Sequence, residues 1–78
     1  MATAEPKAIC ERIGKRMRER RKDLGISLDR LAAMTELSKT GLWQIEQGQN
    51  EPRAGTIVRL CNALRLSAAD LLGVEEDQ

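Results

Sequence analysis

Three short stretches of this 78-residue chain carry one repeated signal. In each, a hydrophobic residue precedes a serine, and a second hydrophobic residue stands four positions after that serine. The sets are Ile26-Ser27 with Leu31, Leu37-Ser38 with Leu42, and Leu66-Ser67 with Leu71. A serine in this place accepts from the otherwise unpaired N–H groups of a helix start, and the flanking apolar pair fixes the angle at which the chain enters. Ser27 and Ser38 are eleven residues apart. That interval holds one short helix and a tight turn, so the middle of the chain must fold as brief helices meeting at steep angles.

The other elements follow from periodicity. Ile9, Ile13 and Met17 step by four, with Leu24 two turns on and Gly25 as a stop. Ile57, Leu60, Cys61 and Leu64 complete an apolar stripe for one helix face. No segment alternates apolar and polar residues as a strand would. The predicted helices cover about 8–24, 28–34, 39–47, 54–64 and 68–72, joined by short loops into a compact all-α domain. Residues 1–8 read as a flexible N-terminal arm, 9–73 as the domain and 74–78 as an acidic C-terminal tail.

Charge is unevenly placed behind a net value of +1. Residues 7–22 hold eight basic side chains against Glu11 and Glu19, whereas residues 66–78 hold four acids and no base. Such polarity favours attraction of a polyanion to one end. Cys10 and Cys61 stand far apart without a signal-peptide pattern and read as small buried apolar residues. No apolar run approaches the ~20 residues of a membrane span. With no His, two scattered Cys and no glycine-rich phosphate loop, metal sites, cofactors, small-molecule ligands and catalysis find no support.

The second and third helices are separated only by Thr35, Glu36, Leu37 and Ser38, the spacing of a helix-turn-helix. Ala32 supplies a small residue for the crossing, with Leu31, Leu37, Leu42 and Ile45 closing the seam. The run "SLDRLAAMTELSKTGLWQIEQGQNEP" and the following "TIVRLCNALRLSAADLLG" resemble the phage-repressor and Cro-like helix-turn-helix family, also called the XRE family. The matching residues are Arg21, Leu31, Ala32, Leu37, Ser38, Ile45, Glu46, Gly48, Pro52, Ala63, Leu64, Ser67, Leu71 and Leu72, across roughly residues 9–73. The resemblance implies a five-helix, lambda-repressor-like DNA-binding domain whose third helix reads DNA. It also implies a semi-buried ion pair between Arg21 and Glu46. Three positions depart from the family pattern: Leu28 replaces a helix-capping, operator-holding Gln, Glu36 replaces a turn Gly, and Arg53 replaces a capping Ser.

Rotation by about 100° per residue sorts the faces of the third helix. With Leu42 facing the core, Ile45 and Glu46 share its side, Thr40, Gln44 and Gln47 point away, and Trp43 lies on the flank beside Lys39. No acid stands among the outward residues. A helix fits the major groove, where Gln pairs with adenine, Lys with guanine acceptors and apolar surface with a thymine methyl. Lys39, Thr40, Trp43 and Gln44 are therefore expected to read bases. Ser27, Ser38, Gln47, Asn50 and Arg53 are expected at the DNA backbone. The reading is a cytoplasmic, nucleoid-associated transcriptional repressor of bacterial or phage origin, binding an inverted-repeat (palindromic) operator in double-stranded DNA as a homodimer. The alternative is an antitoxin-like or partner-binding module that keeps the fold but reads little DNA, for which Leu28 and the lone aromatic Trp43 are the best arguments.

Overall fold

The computed structural model describes residues 5–73. Residues 1–4 of the expected arm and the acidic tail 74–78 lie outside the described residues. Five helices and no strand are found among the described residues: α1 (Pro6–Asp23), α2 (Leu28–Thr35), α3 (Lys39–Glu46), α4 (Ala54–Leu64) and α5 (Ala68–Leu72). α1 starts two residues earlier than the predicted 8–24, with Pro6 in its first turn, where a missing N–H costs nothing. Pro6, Lys7 and Ala8 are thus helical. No helix among the described residues is long and apolar enough to cross a membrane.

All three serine caps form. Ser27 accepts from the N–H of Arg30, Ser38 from that of Gly41 and Ser67 from that of Asp70, each at 3.0 Å. The helix ends are as uniform as the starts. Gly25, Glu36, Gly48, Arg65 and Gly73 all hold left-handed backbone, the conformation that turns a chain out of a helix. After four of them the next N–H reaches back into the helix just left: Ile26 to the carbonyl of Arg21, Leu37 to Ala32, Gln49 to Gln44, Leu66 to Cys61. The joints Gly25-Ile26-Ser27, Glu36-Leu37-Ser38 and Arg65-Leu66-Ser67 therefore follow one plan. One residue turns the chain, a hydrophobic residue packs against the core, and a serine opens the next helix.

Around these joints the core is aliphatic. Ile13, Met17, Leu31, Leu42, Ile45, Leu60, Leu64 and Leu71 are its buried members, and Ile9, Ile26, Leu28 and Leu37 pack against it. Leu24, expected to extend the apolar stripe of α1, is instead exposed beyond the helix end. Thr35 is buried, and its hydroxyl donates to the carbonyl of Leu31 at 2.7 Å.

Two cations of the basic stripe of α1 also have a structural use. Arg12 donates to the carbonyl of Gly73 and Arg20 to that of Leu64, so two of its cations satisfy the last carbonyls of α5 and α4. Arg59 of α4 does the same for Thr35 at the end of α2. Within α1, Gly14 lies against the end of α3. A β-carbon there would collide with the carbonyl oxygens of Ile45 and Glu46.

Two substitutions follow. Glu36→Gly removes the strain of a side chain at φ 59° and should stabilise the fold by about 1 kcal/mol net of the added chain entropy; an unchanged or lower urea midpoint would contradict this. Gly14→Ala should destabilise by about 2 kcal/mol through overpacking, read from the same unfolding curves.

Candidate nucleic-acid interface

The end of α3 is fastened to α1 by charge. Arg21 Nε donates to Glu46 Oε2 at 2.7 Å and its Nη2 to Oε1 at 3.1 Å, a two-point contact. A third donor, Nη1, reaches the carbonyl of Ile26 at 3.0 Å, so one guanidinium joins α1, α3 and the first joint. The side chains are 15% and 4% exposed. The hydrogen bond to Glu46 is the main cause raising the Arg21 pKa above its ordinary value; the carboxylate charge adds to it and burial opposes it. Glu46 thus holds α3 in place and is withdrawn from the solvent face.

With the core side of α3 fixed, the opposite side is free. Lys39, Thr40, Trp43 and Gln47 are exposed and Gln44 is half-buried. Trp43 keeps 48% of its surface exposed, so the single aromatic ring is not a core residue. Ser27, Ser38, Asn50 and Arg53 are also exposed, on the loops and helix starts flanking α3. Arg53 precedes α4 without a side-chain cap and makes no ion pair among the described residues. A cation at the positive end of a helix is relieved by an anion.

Two contacts on this surface have no counterpart in the sequence reading. Lys39 Nζ lies 3.1 Å from Asp29 Oδ1, so an acid of α2 stands beside the first residue of α3. Both groups are well exposed, and such a pair holds weakly. Asn50 Nδ2 donates to Gln44 Oε1 at 2.7 Å, which brings an expected backbone residue onto an expected base reader. Neither pairing follows a helical period; the packing of α2 on α3 in a helix-turn-helix was the available clue to the first. Leu28 packs against the core, so the position where the family carries an operator-holding Gln points inward here.

Neither cysteine belongs to this surface as a reactive group. Cys10 is buried, and burial, helped by the charge of Asp70, pushes the Cys61 thiol up from its ordinary value.

Comparison with known proteins agrees with this geometry. The helix-turn-helix domain family matches residues 12–77. No curated protein matches the chain. Among solved structures, the P22 c2 repressor in complex with synthetic operator 9T is similar at 32% identity, over 83% of this chain and 96% of that one, with a TM-score of 0.73. The restriction-modification controller protein C.AhdI from Aeromonas hydrophila is similar at 29% identity, over 80% of this chain and 94% of that one, with a TM-score of 0.75. The clp gene regulator ClgR from Corynebacterium glutamicum is similar at 33% identity, over 82% of this chain and 68% of that one, with a TM-score of 0.78.

The ion pair should behave as a unit. Glu46→Gln leaves a largely buried guanidinium without its counter-charge and should cost about 3 kcal/mol. The double replacement Arg21→Met with Glu46→Leu should cost less than that single change, as judged by denaturant unfolding.

Proposed function

The chain belongs to the helix-turn-helix domain family of DNA-binding transcriptional regulators, in its phage-repressor and Cro-like (XRE) branch, and from that premise we propose that it represses transcription by occupying an inverted-repeat operator as a homodimer. One observation carries the reading. The outward face of α3 offers cationic, neutral and aromatic groups, while every aliphatic residue the core needs lies on the other side. Lys39, Thr40, Trp43 and Gln44 read base edges in the major groove, with the Trp43 ring against a thymine methyl or a sugar. Ser27, Ser38, Gln47 and Arg53 meet the sugar–phosphate strands and set register without reading sequence. A dimer is required because one eight-residue helix covers too few bases, and its two copies of α3 would sit about 34–36 Å apart along the duplex. The similarity to a repressor solved with operator DNA supports this reading. The protein acts in the cytoplasm, on the nucleoid.

A second reading keeps the fold as a protein-interaction module. Its support is the inward Leu28 and the exposed apolar side chains of Met34 and Val58.

Binding to duplex DNA, followed by Trp43 fluorescence across a salt series, separates the two. A regulator gives log K falling against log salt with a slope of about −4 or steeper, reflecting several neutralised phosphates. A flat response and an unchanged spectrum favour the interaction module. Gln44→Ala should relax base preference, whereas Arg53→Ala should weaken all sequences alike and lower the slope by about one per subunit.

A further inference from the structure

We infer that Asn50 decides which kind of base Gln44 reads, by turning its carboxamide so that the N–H2 group faces outward. The inference rests on the DNA-binding reading above and assigns Asn50 a positioning role rather than the backbone contact expected from sequence.

The geometry begins at the end of α3. Gly48, at φ 72°, bends the chain back: its N–H donates to the carbonyl of Ile45 at 3.0 Å, and the next N–H, of Gln49, donates to the carbonyl of Gln44 at 2.9 Å. This closure holds the backbone of Gln44 and delivers the following residue to its side chain. Asn50 Nδ2 then donates to Gln44 Oε1 at 2.7 Å. Backbone and side chain of one half-buried residue on the reading face are thus gripped by two successive residues of one turn.

A carboxamide is planar, with its oxygen and nitrogen on opposite sides of the carbonyl carbon. When the oxygen is drawn toward the α3–α4 loop, the N–H2 group is sent away from it. A glutamine free to rotate can offer an acceptor and a donor side by side, which is what the N6 and N7 atoms of adenine demand. Held by Asn50, Gln44 offers donors. The matching groups on base edges are acceptors: N7 and O6 of guanine and O4 of thymine, whereas the N7 acceptor of adenine stands beside its N6 donor, which finds no acceptor on a carboxamide held this way. The adenine contact expected from residue type alone gives way to guanine or thymine at the base facing Gln44.

Selection of binding sites from a random duplex pool tests this, with the wild type, Gln44→Ala, Asn50→Ala, Asn50→Asp and the double variant Gln44→Ala/Asn50→Asp. The base facing Gln44 is the one whose preference disappears in Gln44→Ala. The wild type should enrich guanine or thymine there. Asn50→Asp has only acceptors, so it draws the N–H2 group of Gln44 to the loop and turns Oε1 outward. Preference at that base should move to the donors of cytosine or adenine, by about tenfold or more in the base ratio. Asn50→Ala should flatten the preference, and Asn50→Asp should change nothing further at that base once Gln44 is absent. Asn50 is exposed, so thermal melts of its variants should match the wild type. An Asn50→Asp protein that selects the wild-type base, or that loses preference equally at every position, overturns the positioning role while DNA binding stands. A wild type with a steep salt slope but no selected sequence also overturns it, and one with neither overturns the DNA reading as well.

Discussion

The outward face of α3 can be no better placed than the carboxyl end of that helix, and this end is fastened to α1 at two points. Gly14 lets the helices approach until backbone meets backbone, and Arg21 closes the contact by gripping both oxygens of Glu46. The two requirements depend on each other. A bulkier residue at 14 would move the Glu46 carbonyl, and a lost charge at 46 would leave a guanidinium in a place it can occupy only when paired. Because the same guanidinium also holds the carbonyl of Ile26, the start of α2 is registered against the same point. The helix-turn-helix is therefore positioned from outside, by the helix that precedes it. The worth of such a pair lies in defining geometry more than in net stability.

Elsewhere the chain economises. A domain of this size buries only about 60% of its unfolded surface, and this one has no aromatic residue in its core. Small, local devices take up the load. The three joints settle each helix end and the following helix start within three residues, and arginines from α1 and α4 satisfy the terminal carbonyls of α2, α4 and α5. Three of the arginines of α1, Arg12, Arg20 and Arg21, thus have structural partners, while Lys7, Lys15, Arg16, Arg18 and Lys22 are left to set the charge of its surface.

What the sequence disclosed divides by range. The helix starts were legible because a serine between hydrophobic residues acts within one turn of chain, and the core stripes because helical spacing repeats. The turn at Glu36 could be anticipated from the family pattern, whereas its twin at Arg65 could not, since nothing local marks a charged residue as left-handed. The Arg21–Glu46 pair came from resemblance, with no periodic signal linking residues 25 apart in sequence. Gly14 gave no sign, because a glycine inside a helix is explained only by what packs on it. The same holds for Asp29 beside Lys39 and for Asn50 on Gln44. These side-chain meetings are made by the fold, and the candidate reading surface is where such meetings are densest.

The separation between what holds α3 and what α3 displays has a bearing on descent. Lys39, Thr40, Trp43 and Gln47 are exposed and contribute nothing to the buried core, which Leu42 and Ile45 serve from the same helix. Replacement of Lys39, Thr40 or Gln47 leaves the folding free energy nearly untouched, since surface changes usually fall within about 0.5 kcal/mol, whereas Trp43, 48% exposed, gives up the apolar area it covers as well. The helix is accordingly a replaceable label on a constant frame. On the DNA reading proposed above, a lineage carrying this frame can be readdressed one exposed residue at a time, without passing through an unfolded ancestor.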